Sequence, residues 1–252
     1  MHRKTEGFTL IECTVAIGVL DVGGVLAASA VKLNGSTEKA LTSQTQLRGI
    51  HQALVTYAQS NKRGGHDGYF SGFGPDGRVI DASVEGRLQP LLEDNYFTGD
   101  YFISPIENLN PWEHNGGRRV AATRITTDQH SYAMLKVDES KPRQREWSET
   151  LNTNAIVLSD RNTAGVDQPS SVWTEGQERD GWVGGITRND NSTTFESDPV
   201  IEHTKYGNAP SNETDHLFKA DTQDGRDTLM TFHRDAAGQE LPIPRRTTQP
   251  AE

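Results

Sequence analysis

Residues 7–30 read GFTLIECTVAIGVLDVGGVLAASA, and no other stretch of the chain is apolar over such a length. A continuous helix from Phe8 to Leu33 would be about 39 Å long at roughly 1.5 Å per residue. That exceeds the roughly 30 Å of a bilayer's hydrocarbon core. The run nevertheless holds two acids, Glu12 and Asp21. A carboxylate at the centre of a membrane helix costs about 2.5 kcal/mol or more, so each acid needs a partner or a reason. Arg3 and Lys4 precede the run and Lys32 closes it. Basic residues on the N-terminal flank orient a span with that end in the cytoplasm.

A secretory signal peptide shares the basic start, and LAASA at 26–30 would offer a cleavage site. Its apolar core is shorter, however, at about 7–15 residues, and Glu12 lies near the beginning of this one. Lipoprotein processing at Cys13 is disfavoured by the acid directly before it. The string KTEGFTLIE, with its basic leader, Gly7, Phe8, Thr9, Leu10, Ile11 and Glu12, resembles the N-terminal signal of type IV pilins and type II secretion pseudopilins. The resemblance implies a prepilin peptidase that cuts between Gly7 and Phe8 and N-methylation of Phe8. It implies a role in assembly for Glu12, which would pair with the freed amine of Phe8 on a neighbouring subunit; a buried carboxylate requires such a partner. Asp21 departs from the family pattern. Nine residues separate it from Glu12, about 900° of helical rotation, so the two acids lie on opposite faces. Pairing with a cation of another subunit, and solvation by water or local unwinding at Gly23–Gly24, are both open accounts of it.

The rest of the chain is polar. Hydrophobic residues make up 33% of the 252, and glycine (24) and proline (11) favour turns and loops. The net charge of -10 argues against a sequence-independent nucleic-acid partner, which needs a basic face. Cys13 is the single cysteine, so no intramolecular disulfide or thiolate metal cage forms. LNGS at 33–36 breaks the first segment. Leu47, Ile50, Leu54, Tyr57 and Ala58 then recur at helical spacing, predicting an amphipathic helix that ends at Gly64–Gly65. His51 beside that stripe reads as a packed or surface histidine. GRLQPLLEDNYFT (86–98) predicts a short helix. Strands are predicted at 130–135, 154–161, 181–189, 193–197 and 227–234, with RNDNS as a hairpin turn, PDG (75–77) as a turn, and DYFISP (100–105) strand or extended.

The expected class is α+β and pilin-like: a long N-terminal α-helix, half membrane and half amphipathic, packed on an antiparallel β-sheet with long loops. The expected organisation is a leader (1–7), a transmembrane and filament-core helix (8–33), an amphipathic helix (34–64), a β-rich globular domain (65–238) and a disordered tail (239–252). The order of the C-terminal segments is similar to that of a large bacterial family of pseudopilin-like proteins with extended C-terminal regions. The major pseudopilins carry a calcium loop, and Asp221, Asp224 and Asp227 around Gly225 are the candidate Ca²⁺ ligands. Their spacing differs from the EF-hand pattern, and a solvated acidic turn is the favoured account. An H-x9-D-G spacing at His66, Asp76 and Gly77 is read as coincidence.

No nucleophile elbow, H-E-x-x-H pair or phosphate-binding loop is present. Ser159 and Asp160 in LSDRN read as a strand end turning into a loop. Trp112, Trp147, Trp173 and Trp182 read as core or loop anchors rather than a sugar-binding surface. The expected protein is therefore no enzyme but a structural subunit of a bacterial type II secretion or type IV pilus-like filament. Its expected partners are the membrane, a prepilin peptidase, an inner-membrane assembly platform and sibling subunits, without nucleic acid. It would cross the inner membrane once, with its C-terminal domain in the periplasm, or at the cell surface when in a filament. The alternative is a minor pilin whose extracytoplasmic domain binds a glycan or DNA.

Overall fold

The computed structural model describes residues 37–61, 68–114, 123–137, 140–174, 181–220, 222 and 224–232. The chain divides into Met1–Leu33 and Asn34–Glu252, and every described residue belongs to the second unit. Its first element, α1 (Thr37–Ser60), buries Leu47, Ile50, Leu54 and Ala58, the predicted stripe, together with Ser43, His51, Ala53 and Val55. Tyr57 is half-buried and meets Tyr96. On the outer face, Thr42, Thr45, Thr56 and Ser60 donate to carbonyls four residues back at 2.8–3.0 Å, so these hydroxyls are satisfied by the helix itself.

The remaining helices are short. α2 (Val84–Glu93) starts at the N-cap Ser83, whose side chain accepts from the Gly86 N–H at 3.0 Å, removing one orphan donor of the first turn. It stops before Asn95, which has a φ of 57°. α3 (Lys141–Arg145) is capped by Ser140 and has proline in its first turn, where the missing N–H costs nothing.

The main sheet is formed by β1 (Tyr132–Leu135), β2 (Ile156–Asp160), β3 (Gly184–Arg188), β4 (Thr193–Glu196) and β7 (Met230–Thr231), in the antiparallel order β4-β3-β2-β1-β7. Every residue of β1 and β2 is buried, as expected of strands covered on both faces. β3 and β4 form the predicted hairpin: Asn191 N donates to the Arg188 carbonyl at 2.9 Å and Asn191 takes a φ of 66°, which Asn tolerates. A second sheet holds only β5 (Val200–Thr204) and β6 (Asn212–His216). A bulge interrupts β2 between Ile156 and Leu158, and the Tyr206 hydroxyl fills the gap. It accepts from Ile156 N at 3.2 Å and donates to Ile156 O at 3.1 Å.

The expected fold needs correction. Antiparallel sheets of five and two strands dominate, with few helices, and the long N-terminal helix with a membrane half is not among the described residues. The described helix begins at Thr37 and spans 24 residues. After it, apolar residues come in short groups between Gly, Pro, Asn and Asp, a pattern that supports strands and short helical turns, and no later helix among the described residues is longer than 10 residues. DYFISP carries a 3₁₀ turn at Gly99–Phe102 instead of a strand, and the strand described within 227–232 is Met230–Thr231.

α1 lies on β3 and β4, and two glycines of β3 set the approach. A Cβ on Gly185 would stand 2.7 Å from Leu47 Cδ1 of α1; one on Gly184 would stand 2.7 Å from both Asp160 Cβ and Trp182 Cζ2. The second pair cannot retreat, because Trp182 and Asp160 are fully buried. Gly184→Ala is therefore expected to destabilise the domain by about 1–3 kcal/mol through overpacking, read as a lower urea midpoint at unchanged slope. An unshifted midpoint would show that the ring has room to move.

Candidate functional site

Gly7, Phe8 and Glu12, the candidates for processing and assembly, lie outside the described residues, as do Asp21 and Cys13. No described helix is long and apolar enough to cross a membrane. The chemistry within the described domain is carried by buried carboxylates.

Of the candidate calcium loop, Asp224 and Asp227 are described and lie in different surroundings. Asp227 is buried and forms an ion pair with Arg143, its Oδ1 3.0 Å from Nη1; Thr222 Oγ1 also donates to Oδ1, at 3.0 Å. Arg143 further donates to the main-chain carbonyls of Lys136 (2.7 Å) and Asp227 (3.2 Å). A guanidinium already supplies the positive charge that a metal would bring. Asp224 is exposed beside Arg226, 3.7 Å away, and Asp221 lies outside the described residues. Among the described residues no group of three or more His, Cys, Asp or Glu side chains could hold a metal ion.

Asp215 anchors β6. Its Oδ2 accepts from the Thr228 N–H and hydroxyl, both at 2.7 Å, and from the Thr204 hydroxyl. Burial pushes its carboxyl above the ordinary aspartate range, against the pull of these donors. Thr228 Oγ1 also lies 2.8 Å from the Tyr206 hydroxyl, so the polar contacts of β6 adjoin those at the bulge in β2. Glu146 plays a similar part at the end of α3. It accepts from Thr150, Asn152 and Gly207 N at 2.5–2.9 Å and so ties two loops to one buried carboxylate.

Asp160, at the end of β2, is the most unusual group. It is fully buried; Oδ2 accepts from the facing Gly185 N–H at 2.7 Å and from Trp173 Nε1 at 2.9 Å. Its Oδ1 is buried without a hydrogen-bond partner. Desolvation raises its pKa to about 7, the two donors only partly offsetting the effect. Arg161, the next residue, forms an ion pair with Glu107. Tyr132 on β1 is buried nearby and its hydroxyl is pushed well above its usual range, mainly by burial and then by Asp160. Ser159 Oγ donates to the main-chain carbonyl of Asp160 at 2.9 Å and faces no imidazole in that bond, so LSDRN does not assemble a nucleophile with its base.

All four tryptophans are buried, and each indole N–H reaches an acceptor: Trp112 to Thr123 O, Trp147 to Ser71 O, Trp173 to Asp160 and Trp182 to Arg161 O, at 2.5–3.2 Å. They are anchors, as their surroundings in the sequence suggested. His51 is buried against Phe70, with Nδ1 3.2 Å from Asn191 Oδ1; burial lowers its pKa, favouring the neutral ring.

No family model, curated protein or solved structure matches this chain.

Sequence reasoning missed the Asp160 centre. Its signal was an acid directly after the buried run AIVLS, opposite two adjacent glycines in the following strand. An acid at that place in a central strand must end among packed groups.

Proposed function

We propose that the chain is a pilin- or pseudopilin-like structural subunit of a bacterial secretion or pilus-type filament, matured by a prepilin peptidase between Gly7 and Phe8. The observation that carries this reading is the string Gly7-Phe8-Thr9-Leu10-Ile11-Glu12 behind the basic pair Arg3 and Lys4, at the head of the longest apolar run. In this reading residues 8–33 anchor the chain in the membrane and later pack in the filament core. The domain that starts at α1 is carried outside the membrane. Its buried polar side chains serve as anchors between loops and strands, which suits a structural part better than a reaction centre.

Mass spectrometry of the mature N-terminus tests the proposal. A chain starting at N-methylated Phe8 is the expected result. A chain starting near Val31 would mean signal-peptidase cleavage and would overturn it.

A further inference from the structure

Leu151 stands at the tip of the loop between α3 and β2, and it is held there at two costs. Its φ is 55°, a left-handed conformation that a bulky side chain rarely adopts. It is also 66% exposed, so its apolar surface stays in water. The tip is firmly pinned on both sides. Thr150 Oγ1 and Asn152 Nδ2 donate to the buried Glu146 carboxylate. Asn152 Nδ2 also reaches the Lys205 carbonyl at 3.0 Å, and Asn152 Oδ1 accepts from Asn154 N at 3.0 Å. Glu149, exposed beside the tip, accepts from Gln59 Nε2 in the last turn of α1 at 3.0 Å. Hydrogen bonds thus fix a strained backbone that presents one leucine to solvent. Such strain persists only where the surroundings over-determine it, and it concentrates at functional sites. Asn or Gly would occupy this φ at less cost, so the loop itself gains nothing from a leucine.

A complementary surface lies elsewhere on the same chain. Leu41, near the start of α1, is 40% exposed. Arg48 is exposed too and follows Leu41 after about 700° of helical rotation, which places both on one face. Helical side chains lean towards the helix N-terminus, so Arg48 extends in the direction of Leu41, on the opposite side of it from Glu38. Arg48 forms no ion pair among the described residues. The exposed Val79 and Ile80, by contrast, are flanked by the pairs Arg78–Asp76 and Arg124–Asp81, whose charges are met within the chain. Gln59, which holds Glu149, lies about 27 Å along the helix from Leu41. The two surfaces therefore cannot meet within one chain.

We propose that Leu151 is a docking knob for a second copy of this chain, seated on Leu41 of that copy with Glu149 facing its Arg48. An apolar contact with an acid on one side and a base on the other has a defined register. It joins two different surfaces, so each docked pair keeps one of each free and association continues head to tail. The contact rests on the filament reading for its setting, but it does not require cleavage between Gly7 and Phe8.

Sedimentation of the unprocessed full-length chain in detergent micelles tests the contact. The native chain is expected to associate beyond dimers as its concentration rises. Leu151→Asn is expected to weaken association at least tenfold while its urea midpoint, measured on the dilute protein, stays the same or rises. A lower midpoint would show that Leu151 supports its own fold, and unchanged association would show that other surfaces hold the copies together; either overturns the proposal, as does association that stops at two. Arg48→Glu is expected to weaken association as well, and Glu149→Arg in the same chain to restore it; no restoration would sink the pairing. In a Cys13→Ser background, a short bifunctional maleimide is expected to join Thr153→Cys of one chain to Thr45→Cys of another, and no link between them would refute the register. A mature chain starting at Phe8 together with unchanged association of Leu151→Asn would spare the filament reading and overturn this contact alone.

Discussion

Arg143→Leu is expected to lower the stability of the domain by about 3–5 kcal/mol, the usual effect of removing one partner of a buried ion pair. The Arg143 and Asp227 side chains are only 5% and 1% exposed, so the abandoned carboxylate cannot reach water without local unfolding. The loss extends beyond the pair. Arg143 Nε also satisfies the Lys136 carbonyl just after β1, and the Arg143 main chain is capped by Ser140, which also bonds Gly225 O. The guanidinium thus holds together the exit of β1, the start of α3 and the approach to β7. For a domain with total stability of about 5–15 kcal/mol, the expected loss takes about a fifth of the total or more. Urea unfolding of the full-length chain in micelles would show it as a large drop in midpoint. The double variant Arg143→Met with Asp227→Leu is expected to recover much of the loss, because two apolar side chains remove the stranded charge. If Arg143→Leu shifts the midpoint by less than 1 kcal/mol equivalent (~1 kcal/mol being the scale of an ordinary surface effect), the pair is not the clamp described.

Glu12→Ala is expected to separate maturation from assembly. In the proposed maturation the bond cut lies between Gly7 and Phe8, away from Glu12, so the variant is expected to yield the same mature N-terminus. Incorporation into a filament should fail. In the proposed packing the amine of Phe8 on one subunit is neutralised by Glu12 of its neighbour, and deleting the acid leaves that amine buried alone, a penalty of about 3–5 kcal/mol per contact. Repeated at each subunit, this corresponds to a loss of at least two orders of magnitude in association. Shear fractionation with immunoblotting gives the readout: processed protein confined to the membrane is the expected result, and normal filament incorporation would refute the role assigned to Glu12.

The elements that could be read from the sequence are those in which one local pattern decides the outcome. The α1 stripe is an example: Leu47, Ile50, Leu54 and Ala58 are all buried, because three- and four-residue spacing has one solution when a sheet lies against it. The cores of β2 and the β3–β4 hairpin were equally legible, from a continuous apolar run and an Asn-Asp turn. β5 and β6 were not. Val200–Thr204 exposes Val200, Glu202 and His203, and β6 buries only Asp215 of its five residues. Neither strand alternates, and His203 takes a positive φ of 58°, so no period-two signal exists to be seen. The buried acids were hidden for a different reason. Asp160 reads in sequence as a strand end and Asp215 and Glu146 as loop residues, and only the tertiary donors around them, such as Gly185 N–H, Thr228 and Gly207 N–H, explain why they can be inside. The Asp227 position shows the same limit: the acidic loop read chiefly as a solvated turn, whereas Asp227 is buried against Arg143, a residue distant in sequence.

The hydroxyl of Tyr206 has a consequence for how the domain can come apart. A two-stranded sheet such as β5–β6 is marginal by itself, yet one of its flanking residues closes the defect in the central strand of the larger sheet. Peeling the hairpin away would expose the Ile156 N–H and C=O in the middle of an apolar core, and keeping the hairpin while losing β2 would leave Tyr206 and Asp215 buried without purpose. Two sheets that share no ladder are therefore expected to open together, with the weak member protected by the strong one.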